Sequence, residues 1–189
     1  MNGRKIFQKY NKLIYLIVEL EKKLPKRFRK NQLARLRNKD GKLAMFKRYV
    51  LLKTLAKSVG DNVSIFPGVF FENIENLTIG NNVSIHQMCY IDAEGGIEIG
   101  DNVSIAHKST ILSSNHSYKD MVVPIKYQDM ILQKTVLHNN IWIGCGCVIL
   151  AGVNIQSGCV IGAASIVTHN IEKNSVVVGN PAQIIKKRM

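Results

Sequence analysis

Five histidines are the side chains of this sequence best suited to move protons near neutral pH, because an unperturbed imidazole has a pKa of about 6.5. His116 lies in a polar stretch that interrupts the pattern of the rest of the chain. A polar loop is a poor place for a structural core histidine, so we expect His116 to act as a general base. The other histidines occupy positions that we interpret as surface or cleft positions: His86, His107, His138 and His169.

Four cysteines could in principle supply metal ligands or a nucleophile. The spacing Cys145-x-Cys147 lacks the two-residue gap that is usual in zinc sites. Three of the four fall at small, inward positions of the repeat described next: Cys89, Cys147 and Cys159. We therefore expect reduced, structural thiols and no metal site.

A six-residue repeat of aliphatic side chains must position these residues. Its clearest run is Ile143, Ile149, Ile155, Ile161 and Val167. Six is neither the helical period of about 3.6 nor simple strand alternation. Short strands that place residues two apart on one face explain it, and three such sides make one turn of about 18 residues. The sequence predicts a β-solenoid.

The coils begin near residue 59 and are interrupted once. Similar segments start at Val59, Ile79 and Ile99, each opening with a glycine and one or two asparagines that favour corners. The phase is lost over residues 113–135 and resumes at Leu137. We predict a repeat domain over residues 59–182, with a functional loop at 113–135 and a basic tail at 183–189.

The segment before the repeats carries the excess positive charge. Residues 1–58 hold 18 Lys and Arg against 3 acidic residues, whereas residues 59–189 hold 8 against 10. Its apolar residues follow helical spacing, with Pro25 and Asp40-Gly41 as breaks; the second helix is predicted near residues 32–36. Two roles remain open: peripheral docking on an anionic membrane and a cap on the first coil. Nucleic-acid binding is not expected, because no recognition motif accompanies the charge.

The chain resembles the hexapeptide-repeat acyltransferases, and most closely the maltose/galactoside O-acetyltransferases with their capsular and lipopolysaccharide relatives. The likeness rests on residues 59–182 and on three features: Asn115-His116 with Tyr118 and Asp120, the stretch Trp142 to Thr168, and the closing Gly179-Asn180-Pro181-Ala182. It implies a left-handed parallel β-helix and a homotrimer with active sites between subunits. It also implies direct transfer of an acetyl group from acetyl-CoA to a saccharide or glycan hydroxyl.

The resemblance also assigns roles to residues. His116 matches the catalytic histidine, and the backbone N–H of Cys145 matches an oxyanion donor. The expected acetyl-CoA contacts are Trp142, Gly144, Cys145, Ala163, Ser165, Thr168, Gly179, Asn180 and Pro181. Because Gln183 replaces the basic residue frequent in the family, Lys186 and Lys187 are expected to pair with the phosphates. The expected acceptor contacts are His86, Asp92 and Asn115.

Other functions remain open. The main alternative is N-acetylation of an amino-sugar nucleotide. An acyl-enzyme on Cys145, a serine acetyltransferase and a non-catalytic solenoid are weaker alternatives. A zinc carbonic anhydrase of the same fold is disfavoured, because His107 and His116 are nine residues apart and no His-x4-His occurs. With no visible signal peptide, we expect a cytoplasmic protein, with a peripheral position at the inner membrane face as an extension of this expectation.

Overall fold

A computed structural model describes residues 3–188, with side chains from Tyr10 onward. Met1, Asn2 and Met189, which the predicted boundaries include, lie outside the described residues. Three helices precede a parallel β-solenoid, as predicted: α1 (Gly3–Lys22), α2 (Lys26–Leu36) and α3 (Lys42–Leu55). No helix within residues 3–188 combines the length and the apolar content needed to cross a bilayer.

The solenoid has three parallel faces, which we call sheets 1, 2 and 3. Sheet 1 contains β1 (Ser58–Val59), β4 (Leu77–Ile79), β7 (Ile97–Ile99), β12 (Thr135–Leu137) and β15 (Asn154–Ile155). Sheet 2 contains β2 (Ser64–Ile65), β5 (Ser84–Ile85), β8 (Ser104–Ile105), β13 (Trp142–Ile143), β16 (Val160–Ile161), β18 (Ser175–Gly179) and β19 (Ala182–Lys187). Sheet 3 contains β3 (Phe70–Glu72), β6 (Tyr90–Asp92), β9 (Thr110–Leu112), β14 (Val148–Ile149) and β17 (Ile166–Val167).

The six-residue repeat places one aliphatic side chain per face in the interior. In sheet 2 the stacked set is fully buried: Ile65, Ile85, Ile105, Ile143 and Ile161. Asparagines turn the chain between sheets 1 and 2 with φ near +57°, which asparagine tolerates better than most residues: Asn62, Asn82, Asn102, Asn140 and Asn174. Their side chains also bond from coil to coil, with Asn62 Nδ2 donating to Asn82 Oδ1 at 3.0 Å.

The three helices form a helical cap on the first coil. α3 buries Leu51, Leu52 and Leu55, and α1 packs on α3 through Ile14 and Val18. The side chains of Tyr15 and Lys53 both donate to the carboxylate of Asp61 in the first coil. The capping role left open by the sequence is therefore present in the structure.

Three local predictions need correction. α2 begins at Lys26 and not near residue 32, because Pro25 suits a helix start and the following Lys and Arg are good helix formers. The loop at 113–135 is an ordered hairpin in which β10 (Ser114–His116) pairs antiparallel with β11 (Met130–Leu132). We call residues 114–132 the arm. Likewise, most of the basic tail is part of β19, which pairs antiparallel with β18.

Candidate active site

His116 ends the first strand of the arm, opposite Met130. Its side chain is exposed, and no partner within the described residues hydrogen-bonds to its ring. Asn115 precedes it, half-buried and opposite Ile131. An exposed imidazole without an internal partner is free to accept a proton from a bound molecule. Its role as general base stays a prediction.

The tip of the arm is ordered by its own hydrogen bonds. Asp120 Oδ1 accepts from the backbone N–H groups of Val122 and Val123 at 2.7 and 3.0 Å, and these bonds lower the pKa of Asp120. Gln128 Nε2 donates to the carbonyls of Asp120 and Val123, both at 2.8 Å. The tip nevertheless exposes large apolar side chains: Tyr118, Met121, Val122, Ile125 and Tyr127.

The base of the arm is fixed by Asp92 and two serines. Asp92 Oδ2 accepts from Ser114 Oγ at 2.6 Å, while Oδ1 accepts from Asn73 Nδ2 at 3.3 Å and from the Glu94 N–H at 3.1 Å. Ser113 Oγ donates to the Asp92 carbonyl at 2.7 Å. Both carboxylate oxygens of Asp92 therefore accept from groups at the base of the arm, and Ser114 links Asp92 to the strand that carries His116. The predicted contact of Asp92 with the acceptor stays a prediction.

The predicted cofactor residues lie largely on a different corner, between sheets 2 and 3. The strand registers stack His107, Cys145, Ala163 and Gly179 in one line across successive coils, which we call the corner row. Flanking backbone groups are paired: Gly144 N–H donates to Ile161 O and Gly146 N–H to His107 O.

Within the described residues, the N–H groups of Cys145 and Ala163 have no hydrogen-bond acceptor. Unpaired backbone donors on a surface are what an oxyanion or a carbonyl requires. The side chain of Cys145 is half-buried and forms no disulfide. The Cys145 N–H is therefore available as a donor, and its predicted role toward an oxyanion stays a prediction.

Of the other predicted cofactor residues, four lie near this row: Trp142, Gly144, Asn180 and Pro181. Thr168 instead follows β17 at the opposite edge of sheet 3. Trp142 is 56% exposed on the outer side of sheet 2, three residues before Cys145. Gly144 lets the next coil approach closely, because a Cβ there would lie 2.6 Å from Ala163 N. Thr168 Oγ1 contacts His169 Nδ1 at 2.7 Å. Asn180 and Pro181 form the turn between β18 and β19.

Three predicted residues are placed less favourably. Ser165 is fully buried, where its Oγ donates to Gly162 O at 2.7 Å and accepts from the Gly179 N–H at 3.1 Å. Its hydroxyl therefore cannot line a surface groove and instead supports the Gly179 turn. Lys186 and Lys187 pair with the start of β18, a strand's length from the corner row. Lys187 is moreover engaged with Glu172 at 2.8 Å.

His86 lies on the same corner as the corner row, two coils before Gly144. Its ring stacks on Phe66 with centroids 4.6 Å apart and planes 6° apart. Burial, and then the charge of nearby His107, lower the pKa of His86. A neutral imidazole beside the corner row is compatible with the predicted acceptor contact, which stays a prediction.

Within one chain, sheet 3 separates His116 from the corner row. A side of six residues at about 3.3 Å per residue spans roughly 15–20 Å, too far for proton transfer to a molecule held at Cys145. The structure thus brings Asn115, His116 and Asp92 together at one corner and His86, Cys145, Ala163 and Gly179 together at another. A single chain does not join the two sets.

Sequence reasoning missed the residues that hold the arm. Ser113 and Ser114 bond to Asp92, and Gly95 permits contact with the arm base, because a Cβ there would lie 2.7 Å from Gln133 N. The Gly95-Gly96 pair, one coil before the predicted loop, was the available signal. Residues 3–188 hold no group of three or more His, Cys, Asp or Glu side chains arranged to bind a metal.

The chain is similar in sequence to several known acetyltransferases. No family model matches the chain. The galactoside O-acetyltransferase of Escherichia coli K12 is 34% identical over 141 residues, which are 75% of this chain and 68% of that protein. A chloramphenicol acetyltransferase of Klebsiella aerogenes is 46% identical over 54 residues, and the chain spans about a quarter of the length of such relatives, 26% in this case.

Solved structures agree with the sequence matches. A galactoside acetyltransferase in complex with coenzyme A aligns with a TM-score of 0.76 and 31% identity, covering 84% of this chain and 78% of that one. A maltose O-acetyltransferase from Clostridium difficile 630 aligns with 0.77 and 29%, covering 87% and 86%. An N-acyltransferase from Bacillus cereus, in complex with dTDP and coenzyme A, aligns with 0.60 and 26%, covering 73% and 88%. The predicted left-handed parallel β-helix is confirmed, and the chain belongs to the hexapeptide-repeat acetyltransferase family of the galactoside and maltose O-acetyltransferases.

Proposed function

We propose that the chain transfers an acetyl group from acetyl-CoA to a hydroxyl of a saccharide or surface glycan, acting as a homotrimer. The observation that carries the proposal is that the same fold presents an unpartnered imidazole, that of His116, and an unpaired backbone donor, the Cys145 N–H. His116 of one copy removes the hydroxyl proton, and the Cys145 N–H of a neighbouring copy stabilises the oxyanion. The thioester is already activated, so transfer is direct and the Cys145 thiol takes no part.

The acetyl-CoA chain runs along the corner row in this proposal. Ala163 and Gly179 carry little or no side chain, so an extended ligand can approach the backbone there. Trp142 offers an exposed ring on the adjoining face. The exposed apolar tip of the arm supports a second copy as its partner, since such side chains are normally covered in an assembly.

A mixing experiment tests the shared site directly. Variants His116→Ala and Ala163→Glu are each expected to be inactive, the second because it blocks the corner row with a negative charge. If each site takes His116 from one copy and its corner row from the next, randomly mixed trimers regain activity at about one quarter of their sites. Mixed trimers that stay inactive would contradict a site between subunits.

Acetyl-CoA binding is tested without knowledge of the acceptor. A ligand at 100 times its Kd stabilises the native protein by about 2.7 kcal/mol, which a thermal-shift titration detects. The expected result is a saturable shift in the wild type and in His116→Ala, and a much weaker one in Ala163→Glu. No shift in a folded wild-type protein would contradict the assignment of the donor.

An amine acceptor is the second candidate, and the structural likeness to the Bacillus cereus N-acyltransferase favours it. The same general base and backbone N–H donor would serve an amine acceptor. The chemical nature of the product therefore distinguishes O-acetylation from N-acetylation. Mild hydroxylamine cleaves an O-acetyl ester and leaves an N-acetyl amide intact. We expect the radiolabelled acetyl product to be cleaved, and an uncleaved product would assign N-acetylation.

We further propose that the helical cap touches the inner face of the cytoplasmic membrane without crossing it. The net positive charge of residues 1–58 supports this proposal, because anionic lipids attract basic segments. Exposed leucines on α1 support it as well: Leu13, Leu16 and Leu20. They lie on the helix side opposite Val18, which packs inward. A glycan acceptor assembled at that membrane would meet the enzyme there.

A further inference from the structure

A small cavity lies between the helical cap and the first coil, on the side of sheet 3. Its volume is about 140 Å³. Three cationic side chains line it, Lys30, Arg37 and Arg48, and no acidic side chain does. Leu33, Phe71 and Ile74 supply apolar walls. We call it the cationic cavity.

Arg48 is the unusual member, because it is 2% exposed and forms no ion pair among the described residues. Its Nε donates to Ile65 O at 2.9 Å, and its Nη1 donates to Leu36 O at 2.9 Å and to Lys39 O at 2.6 Å. All three acceptors are neutral carbonyls, and its Nη2 has no hydrogen-bond partner within residues 3–188. A buried charge with only neutral partners is costly, and a nearby anion offsets that cost.

Burial lowers the pKa of Arg48, against a smaller opposing effect from the charge of Asp40. The direction shows that the surroundings disfavour the guanidinium charge. Internal carboxylates do little to balance it, since Asp40 is exposed and hydrogen-bonds to the Gly41 N–H.

Arg37 and Lys30 add charge at the wall and the mouth of the cavity. The Arg37 guanidinium lies 4.0 Å from the centroid of the Phe70 ring and has no carboxylate partner among the described residues. Lys30 pairs loosely with Glu75, at 3.3 Å, on the exposed edge, and Glu75 is shared with Lys26. The net charge of the side chains that line the cavity is therefore strongly positive.

From this arrangement we infer that the cationic cavity binds a phosphate or carboxylate group. Guanidinium groups suit both, because their N–H donors form paired bonds to planar or tetrahedral oxyanions. The apolar walls suit the ring that carries the anion.

The position of the cavity indicates that the bound anionic group is part of the acceptor molecule. This step rests on the proposed function. Asn73 lines the cavity and donates to Asp92. Asp92 in turn accepts from Ser114, at the start of the strand that carries His116. The acceptor class is therefore an acidic saccharide, held by its phosphate or carboxylate in the cavity while its hydroxyl extends toward the arm.

Anion binding is tested first, without catalysis. Inorganic phosphate is titrated against the full-length protein at constant ionic strength, with melting temperature as the readout. We expect a saturable rise in the wild type and in Arg37→Lys, and at least a fivefold loss of apparent affinity in Arg37→Gln and Lys30→Gln. Lys26→Gln removes the same charge outside the cavity and should bind as the wild type does. A rise no larger than that given by sodium chloride, or an equal loss in Lys26→Gln, overturns the site.

The acceptor assignment is tested with glucose, glucuronate and glucose 6-phosphate as acceptors. We expect the two acidic sugars to show lower KM values than glucose, and Arg37→Gln to abolish that difference with little change in kcat. Equal kinetics for acidic and neutral sugars, with phosphate still bound, would make the cavity a site for a free anion and overturn the acceptor class. Phosphate binding without any acetyl transfer to a broad acceptor panel would instead count against the proposed function alone.

Discussion

One carboxylate, that of Asp92, joins the arm to two successive coils. Its three donors come from Ser114, Asn73 and the Glu94 backbone. Because charge-assisted bonds are stronger than neutral ones, this residue sets where the strand bearing His116 leaves the solenoid. The polar groups nearest the proposed base are therefore devoted to orientation of the arm and leave the imidazole itself free.

His116→Ala should lower kcat by roughly 10²–10⁴, because a positioned general base contributes about that factor. Acetyl-CoA affinity should change little, since in the proposed site His116 contacts the acceptor hydroxyl, whereas the corner row holds the donor. Steady-state kinetics and a thermal-shift titration measure the two quantities. His138→Ala on sheet 1 serves as the control, and a loss below tenfold in His116→Ala would contradict the assignment.

His86 gives the fold a dependence on pH. Its pKa is lowered in the folded state, first by burial and then by His107. Above the unfolded value of about 6.5 both states hold a neutral ring, so His86 has no effect there. As the pH falls below that value, the unfolded chain binds a proton that the folded chain resists, and stability is lost.

The expected result is a smaller fall in melting temperature between pH 7.5 and 5.5 for His86→Phe than for the wild type. Phenylalanine keeps the stack on Phe66 but cannot titrate. His138→Gln is the matched control and should behave as the wild type does. An unchanged pH dependence in His86→Phe would show that His86 is not the responsible group.

Successive coils pack closely at Gly144, and this packing restricts the residue at that position more than the sequence alone indicates. A Cβ there would lie 2.6 Å from Ala163 N and 2.9 Å from Ala163 Cα, which are backbone atoms that cannot move aside. At Gly146 the backbone has φ +67°, but no atom lies within 4 Å of a Cβ. A side chain at position 144 is therefore excluded by lack of space, whereas a side chain at position 146 is disfavoured by the left-handed backbone conformation.

Gly144→Ala should therefore destabilise the protein by about 2 kcal/mol or more through overpacking, and Gly146→Ala by only about 1 kcal/mol through the left-handed conformation. Chemical denaturation with fluorescence of Trp142 measures both. Equal losses in the two variants would show that coil separation at this corner adapts to a methyl group.

The elements of the fold differ in how well the sequence predicts them. The repeat predicted the coils well, because each short strand contributes one inward aliphatic per side and the phase survives every corner. The arm has no period, and its strand pairing depends on Gly95 and Ser113, which contact it from outside the segment. The start of α2 was missed because its first residues have no apolar stripe. The ion pair of Lys187 with Glu172 was not predicted, because the sequence does not show that the two residues lie close together.

For the whole molecule, the helical cap presents a leucine face outward while it covers the first coil inward. Lys12 and Lys23 are exposed beside that face. An amphipathic helix of this kind lies in the membrane interface with its apolar side down. Replacing Leu13, Leu16 and Leu20 together by serine should abolish flotation with vesicles that contain phosphatidylglycerol.

The wild type should float with these vesicles and not with neutral phosphatidylcholine vesicles, and 0.5 M salt should weaken the association. Leu43→Ser, on α3, is the control and should float normally. Undiminished flotation of the triple variant would contradict the proposal. A changed oligomeric state in light scattering, with unchanged flotation, would instead identify the face as a contact between copies.

The antiparallel strand β19 ends sheet 2 with a register shift at Val176/Val177 and three consecutive basic residues, Lys186, Lys187 and Arg188. A parallel solenoid is otherwise open to growth, since its last strand offers the same unpaired backbone groups that joined every earlier coil. A reversed, irregular and charged final strand gives a second solenoid no matching edge to extend. With helices over the opposite end, the coils of this sheet are protected from end-to-end polymerisation into fibres.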